Sequence, residues 1–170
     1  YVPEPRTIYK SALKMSPGHR LLIRRGQPVP APEEYWDVPF RPLGPMSLED
    51  AEVEFIERFR EAVRIRMVAE VPLGAFLSGG VDSSAVVAMM AGINEERGDQ
   101  PVKTCSIAFP DPKYDESAYA KQVADRYRTD HHINLVESDD ISLVDELARL
   151  YDEPYADSSA MPTYRVCQLA

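Results

Sequence analysis

The chain has 170 residues, the length of one domain, and 44% of them are hydrophobic, which is ordinary for a globular protein and enough to build a core. No run approaches the roughly 18–20 apolar residues of a membrane span, and Tyr1-Val2-Pro3-Glu4-Pro5 has neither the basic nor the apolar part of a signal peptide, so no membrane partner and a cytoplasmic location are expected. A formal net charge of −9 and a pI near 4.8 argue against a general nucleic-acid binder, although a glycine-rich loop at a helix N-terminus can still hold a phosphate.

Nine of the fifteen prolines fall within the first 45 residues, so extended segments and turns are expected there. His19–Arg24 reads as a strand, Arg25-Gly26-Gln27-Pro28 as a turn, and residues 1–45 together as a linker or arm. Ser47 with Asp50 resembles a capping box. Val53, Ile56, Phe59, Val63 and Met67, spaced by three and four, predict a helix over about 48–69. Leu73–Leu77 reads as a short buried strand and Ser83–Ala91 as a helix. Val102–Phe109 reads as a second strand, Ser117–Tyr127 as a helix and His132–Val136 as a third strand. Residues Ile141–Leu150 and Pro162–Ala170 read as two more helices, the first behind an acidic cap at Glu137–Asp140. Strands alternating with helices imply a parallel α/β sheet with right-handed crossovers. Three strands are few for a doubly wound sheet, and the chain does not start with Met, so it is read as part of a longer protein.

Cys105 and Cys167 lie in apolar runs without C-x-x-C or zinc spacing, and are expected to be buried free thiols. His131 and His132 are adjacent on a strand and face opposite ways, so a shared metal is not expected. Lys121 and Arg126 read as solvated charges.

The chemistry is concentrated in Phe76-Leu77-Ser78-Gly79-Gly80-Val81-Asp82-Ser83-Ser84-Ala85. A strand ends at Leu77, two glycines allow a sharp turn with backbone N–H groups close to a ligand, and a helix points its positive end at the loop. Ser78, Ser83 and Ser84 add hydroxyls. Asp82 suits a magnesium ion held between carboxylate and phosphates. A plain β–α turn capped by Asp and Ser has the same glycines. The Walker A and G-x-G-x-x-G spacings are both absent.

The whole string, however, resembles the S-G-G-x-D-S pyrophosphate loop of the ATP pyrophosphatase superfamily, in its strand–loop–helix setting. Flanking segments are similar to the glutamine-hydrolysing asparagine synthetases. They are Thr7-Ile8-Tyr9, Pro17-Gly18-His19, Tyr35-Trp36-Asp37, Glu70–Leu77, Ser106–Phe109, Tyr114–Ser117 and Tyr151–Tyr164. The resemblance covers nearly the whole chain and is nearest to the bacterial asparagine synthetase-like amidotransferases, including those that accompany exopolysaccharide and exosortase gene clusters. The Pro-Gly-His and Tyr-Trp-Asp segments disfavour an NAD or GMP synthetase.

The resemblance implies a Rossmann-like parallel sheet of the adenine nucleotide alpha hydrolase type, incomplete here. Residues 46–170 would be the N-terminal part of the synthetase domain, and residues 1–45 an arm behind a glutaminase domain whose N-terminal Cys releases ammonia. ATP and Mg²⁺ are the implied cofactors, aspartate and glutamine-derived ammonia the small-molecule partners, and a homodimer the candidate assembly. Ser78, Gly79, Gly80, Asp82, Ser83 and Ser84 would hold the ATP phosphates, with Asp82 a Mg²⁺ ligand. Leu77 and Ile107 would line the adenine pocket, core packing being the other reading of Ile107. Asp152–Thr163 would border the acyl-acceptor site or be a loop with several caps. The family's Ser-Gly-x-Gly-x-Asp-Glu stretch is not in the sequence, so the residues of the reacting centre are expected beyond it and this span alone is expected to be inactive. The alternatives are amidation or β-lactam-type cyclisation of another carboxylate, and a non-catalytic nucleotide-binding module.

Overall fold

Ser47 closes the proline-rich stretch. In the computed structural model, which describes residues 2–40, 44–136 and 143–170, its side chain accepts the Asp50 N–H at 3.0 Å and its hydroxyl donates to the Asp50 carboxylate at 2.9 Å. This caps helix α1 (Leu48–Arg64), whose first turn carries Glu49 and Asp50 toward the positive end of the helix dipole. The helix ends sooner than its apolar spacing predicts. A 3₁₀ turn (Ile65–Met67) follows, and Val68 is already extended at ψ 107°. Pro72 lies four residues on and excludes helix from the residue before it.

The described chain divides into two compact units, one of residues 46–147 with 158–170, the other of residues 1–45 with 148–157. Among the described residues, the first unit holds a parallel sheet of β3 (Gly74–Phe76), β4 (Lys103–Ala108) and β5 (Asp130–Leu135), in that order. Its register pairs Gly74 with Lys103 and Lys103 with Asp130. Helix α2 (Val81–Arg97) joins β3 to β4, and α3 (Ser117–Tyr127) joins β4 to β5. Helix α4 (Leu143–Leu150) and helix α5 (Ala160–Leu169) follow. This is the mixed α/β architecture expected, consistent with an incomplete Rossmann-like core. Helix α2 runs past Ala91 to Arg97, where Gly98 ends it in the left-handed region at φ 71°.

Thr104, Cys105 and Ser106 are buried in succession, which a strand achieves only when both its faces are covered. Helices α3 and α5 both pack on β4. One apolar cluster joins Val63 of α1 to Met90 and Ile93 of α2 and to Val102. A second joins Leu77, Val87, Ala120 and Ala124, which ties the end of β3 to α2 and α3. Cys105 is buried as expected. Cys167 is exposed, on a face of α5 turned away from the core, which corrects the expectation of two buried thiols. The acidic run at 137–140 and the start of the helix expected from Ile141 lie outside the described residues.

In the other unit, β1 (His19–Arg20) pairs antiparallel with β2 (Glu33–Glu34). The strand predicted over His19–Arg24 is thus two residues long, because β2 offers no longer partner, and Leu22 and Ile23 stay exposed. The Gly18 carbonyl accepts the N–H groups of Tyr35 and Trp36 at 2.8 and 3.2 Å. Lys14 donates to the Glu153 carboxylate at 2.5 Å and to the Val2 carbonyl at 2.7 Å, and the rings of Tyr151 and Tyr155 stack with centroids 4.2 Å apart.

Candidate nucleotide site

The glycine-rich loop leaves the carboxyl end of β3 and enters the N-terminus of α2, where ligands gather on open α/β sheets. Leu77 is 1% exposed. Its N–H donates to the Cys105 carbonyl at 2.9 Å, so the strand is anchored one residue past its last ladder pair. Gly79 then turns the chain at φ 81°. The first turn of α3 passes close beneath it, leaving no room for a side chain.

Ser78 and Ser83 face each other across the loop with hydroxyl oxygens 3.0 Å apart. The Ser83 hydroxyl accepts the Ser78 N–H at 3.3 Å and donates to the Gly80 carbonyl at 3.2 Å, while the Gly80 N–H donates to Ser78 Oγ at 3.3 Å. Gly80 caps α2 with no side-chain hydrogen bond, so the opening N–H groups of that helix lack the acceptor that Ser, Thr or Asp would supply. These donors suit oxyanion oxygens, which would replace the loop's own weak bonds. Asp82 is exposed in the first turn of α2. Ser84 stands apart. Its N–H donates to the Gly80 carbonyl at 3.0 Å, and its hydroxyl is buried without a partner among the described residues.

Beside the loop, a cavity of about 480 Å³ is lined by Leu77 and Ser78, by Ile107 of β4, and by Pro162 and Thr163 of α5. The structure therefore brings Leu77, Ser78 and Ile107 to one space. Gly79, Gly80, Asp82 and Ser84 lie outside its lining, and Ser83 borders a separate apolar groove between α1, β3 and α2. Cys105 is at the cavity's inner wall, where burial pushes its thiol up and away from the reactive thiolate. Tyr114, Glu116 and Ser117 also line it. Ser117, together with Phe109, is held by Asp115, whose carboxylate accepts the Ser117 N–H at 3.1 Å, the Ser117 hydroxyl at 2.9 Å and the Phe109 N–H at 3.4 Å. The bonds from Ser117 hold the Asp115 carboxyl below its ordinary value.

The structural work of Asp115 is visible in the sequence only indirectly, as an Asp-x-Ser before a helix. Among the described residues, no group of three or more His, Cys, Asp and Glu gathers to hold a metal ion. A magnesium ion at Asp82 would take most of its oxygens from phosphates and water, and a single exposed carboxylate beside the loop's N–H groups fits that donor set. Also among the described residues, no helix is long and apolar enough to cross a membrane.

The sequence pattern of the asparagine synthase family matches residues 54–170. A putative glutamine-hydrolysing asparagine synthetase 2 of Methanocaldococcus jannaschii is 36% identical over the whole chain, which covers 32% of that protein. Asparagine synthetase 1 of Bacillus subtilis is 28% identical over the whole chain, covering 26% of its length. The amidase chry2 of Gibberella zeae is 34% identical over 81% of the chain and 22% of its own length. The chain thus spans a third or less of these relatives. With its family pattern running from α1 to the end of α5 and through the loop just described, the chain belongs to the asparagine synthase family.

Proposed function

We propose that this chain carries the ATP-binding part of an amide-forming ligase that converts aspartate to asparagine with ammonia drawn from glutamine. The observation that carries the reading is the Ser78–Ser84 loop, locked between β3 and α3 beside a cavity that Leu77 and Ile107 line. In this reading residues 46–170 begin the synthetase domain, residues 1–45 are the arm that follows a glutaminase domain, and the enzyme works in the cytoplasm as a homodimer.

Leu77 and Ile107 bind the adenine, while the N–H groups of the loop and the hydroxyls of Ser78, Ser83 and Ser84 hold the phosphates. For Ser84 this requires its buried hydroxyl to turn outward. The aspartate side-chain carboxylate attacks the α-phosphorus, the bond to the bridging oxygen breaks, and pyrophosphate leaves. Ammonia then attacks the acyl carbon, the acyl–oxygen bond breaks, AMP leaves, and a proton is lost. The loop's donors meet the charge that grows on the departing pyrophosphate, already oriented before the reaction begins. A bound magnesium ion supplies further neutralisation of that charge, and Asp82 is the residue that would hold it.

A second reading keeps the adenylation and changes the carboxylate. It is favoured by the relatives named amidases, chry2 and the Penicillium rubens chyE, the latter 33% identical over 76% of the chain. ATP–pyrophosphate exchange by the full-length gene product, with and without aspartate, separates the two. Aspartate-dependent exchange supports the first. Binding of Mg-ATP without such exchange supports the second.

A further inference from the structure

Residues 148–157 fold with the arm of residues 1–45, whereas the chain on either side of them belongs to the unit that holds the parallel sheet. From Tyr151 to Ser159 the chain has neither helix nor strand, and only Tyr151 and Glu153 in that stretch are half-buried. These are two of the points at which it is gripped. The Tyr151 ring stacks on that of Tyr155, which brings the two ends of Tyr151–Tyr155 together on either side of Glu153. Glu153 in turn accepts from the Lys14 ammonium at 2.5 Å, and the same ammonium donates to the Val2 carbonyl at 2.7 Å. Lys14 also closes a loop within the arm. Its backbone N–H donates to the Pro5 carbonyl at 3.0 Å, and inside that loop the Thr7 hydroxyl donates to the Ala12 carbonyl at 2.8 Å. One ammonium thus ties the first turns of the arm to a segment that runs straight on into α5, whose Pro162 and Thr163 line the cavity beside the glycine-rich loop. A segment without secondary structure is ordered by whatever holds it, and here the holder is the arm.

We propose that Lys14 is a positioning residue for ammonia transfer: by gripping Glu153 it makes the arm the holder of the segment that leads into α5, and so keeps the part of the enzyme that releases ammonia in step with the part that accepts it. This rests on the reading given above, in which the arm follows a glutaminase domain. Lys14 touches no substrate in this role. Its loss leaves the synthetase centre able to take ammonia from solution and impairs delivery from glutamine.

The test compares glutamine with ammonium chloride as the nitrogen source for asparagine formation by the full-length gene product, with the glutamate released per asparagine counted alongside. Lys14→Met is expected to lower the glutamine-dependent rate by about fivefold or more, to leave the ammonium-dependent rate within about twofold, and to raise the glutamate released per asparagine. Lys14→Arg, which keeps a cation that donates to a carboxylate, is expected to restore most of the loss. Should the methionine variant fail to fold, Lys14→Gln, a neutral donor of similar reach, is expected to shift the ratio in the same direction. Rates that fall by one common factor with both nitrogen sources, or an unchanged ratio of glutamate to asparagine, overturn the role of Lys14. An unmodified protein that forms asparagine from neither source, or from ammonium alone, overturns the reading on which this inference rests.

Discussion

Gly79 lies so close to Tyr119 that a β-carbon on the glycine would sit 2.5 Å from the tyrosine Cβ, and 2.6 Å from the Ala120 nitrogen. Two independent constraints meet at this residue, the left-handed φ of 81° and the approach of α3. Gly79→Ala should therefore cost about 2 kcal/mol or more, read as a fall in the urea midpoint, and should abolish ATP–pyrophosphate exchange in the full-length protein. An unchanged midpoint would mean that the loop and α3 part easily.

Asp82 offers the opposite case. It is exposed and packs against nothing in the core, so Asp82→Ala should lower stability by only about 0.5 kcal/mol, the share of a first-turn acid in the helix dipole. Exchange should nevertheless fall by about a hundredfold or more. Normal exchange in this variant would remove its metal role.

Val87 is fully buried where α2 meets Leu77, Ala120 and Ala124. Val87→Ala deletes two methyl groups from this junction and should cost about 2 kcal/mol, measured by chemical denaturation. A loss below about 0.5 kcal/mol would show that α2 and α3 collapse into the gap.

His131 accepts or shares a proton with the Thr104 hydroxyl at 2.8 Å through Nδ1, while its Nε2 is buried without a partner among the described residues. Burial is the main reason its pKa lies below the ordinary 6.5, and the neighbouring His132 and Lys121 push the same way. The unfolded chain therefore takes up this proton first. The stabilisation is complete above about pH 6.5 and is lost as pH falls through the folded value. Melting curves between pH 8 and pH 5 should fall more steeply for the unmodified protein than for His131→Gln. Parallel curves would show that the imidazole titrates freely.

Lys14 and Glu153 form an ion pair across 139 residues of sequence, each side chain about one-quarter exposed. The hydrogen bond from Lys14 holds the Glu153 carboxyl below its ordinary 4.5. The stability it adds is present above about pH 4.5 and disappears as pH falls through the folded value. In Lys14→Met the Glu153 titration, followed by carbon NMR, should move up toward the ordinary value. No movement would mean the pair is not maintained in solution.

Much of this architecture was legible because α/β units announce themselves. The apolar positions Ala118, Val123, Ala124 and Tyr127 predict a helix over Ser117–Tyr127, and α3 spans those residues, with Ala120 and Ala124 buried one turn apart. The three strands of the parallel sheet lie within a residue or two of where the sequence places them, with β-favouring runs such as Thr104–Ile107 marking them, whereas β2 at Glu33–Glu34 carries no strand pattern. What periodicity could not show was where tertiary partners ran out. Met67 continues the apolar spacing of α1, yet the helix stops at Arg64, ahead of the extended chain that leads to Pro72. Leu21–Ile23 has strand composition, but β2 pairs with only His19 and Arg20. At the loop, sequence identified the glycines and hydroxyls, and Ser78 and Ser83 do face each other. The inward turn of Ser84 and the bond from Ser106 to Leu77 depend on neighbours far along the chain, and no local pattern encodes them.

The contact between Gly79 and α3 also orders events during synthesis. Each strand pairing closes a loop of fewer than thirty residues, Gly74 with Lys103 and then Lys103 with Asp130, so the sheet can grow from its N-terminal strand as the chain emerges. The loop itself cannot adopt its final shape at the first of these steps, because the surface that holds Gly79 is made by Tyr119 and Ala120 and arrives with the second crossover. A nascent chain that has completed β3, α2 and β4 has all the residues of the glycine-rich turn but not yet the wall behind it. The final shape of the glycine-rich turn is therefore acquired late, once Tyr119 and Ala120 of α3 have packed against Gly79.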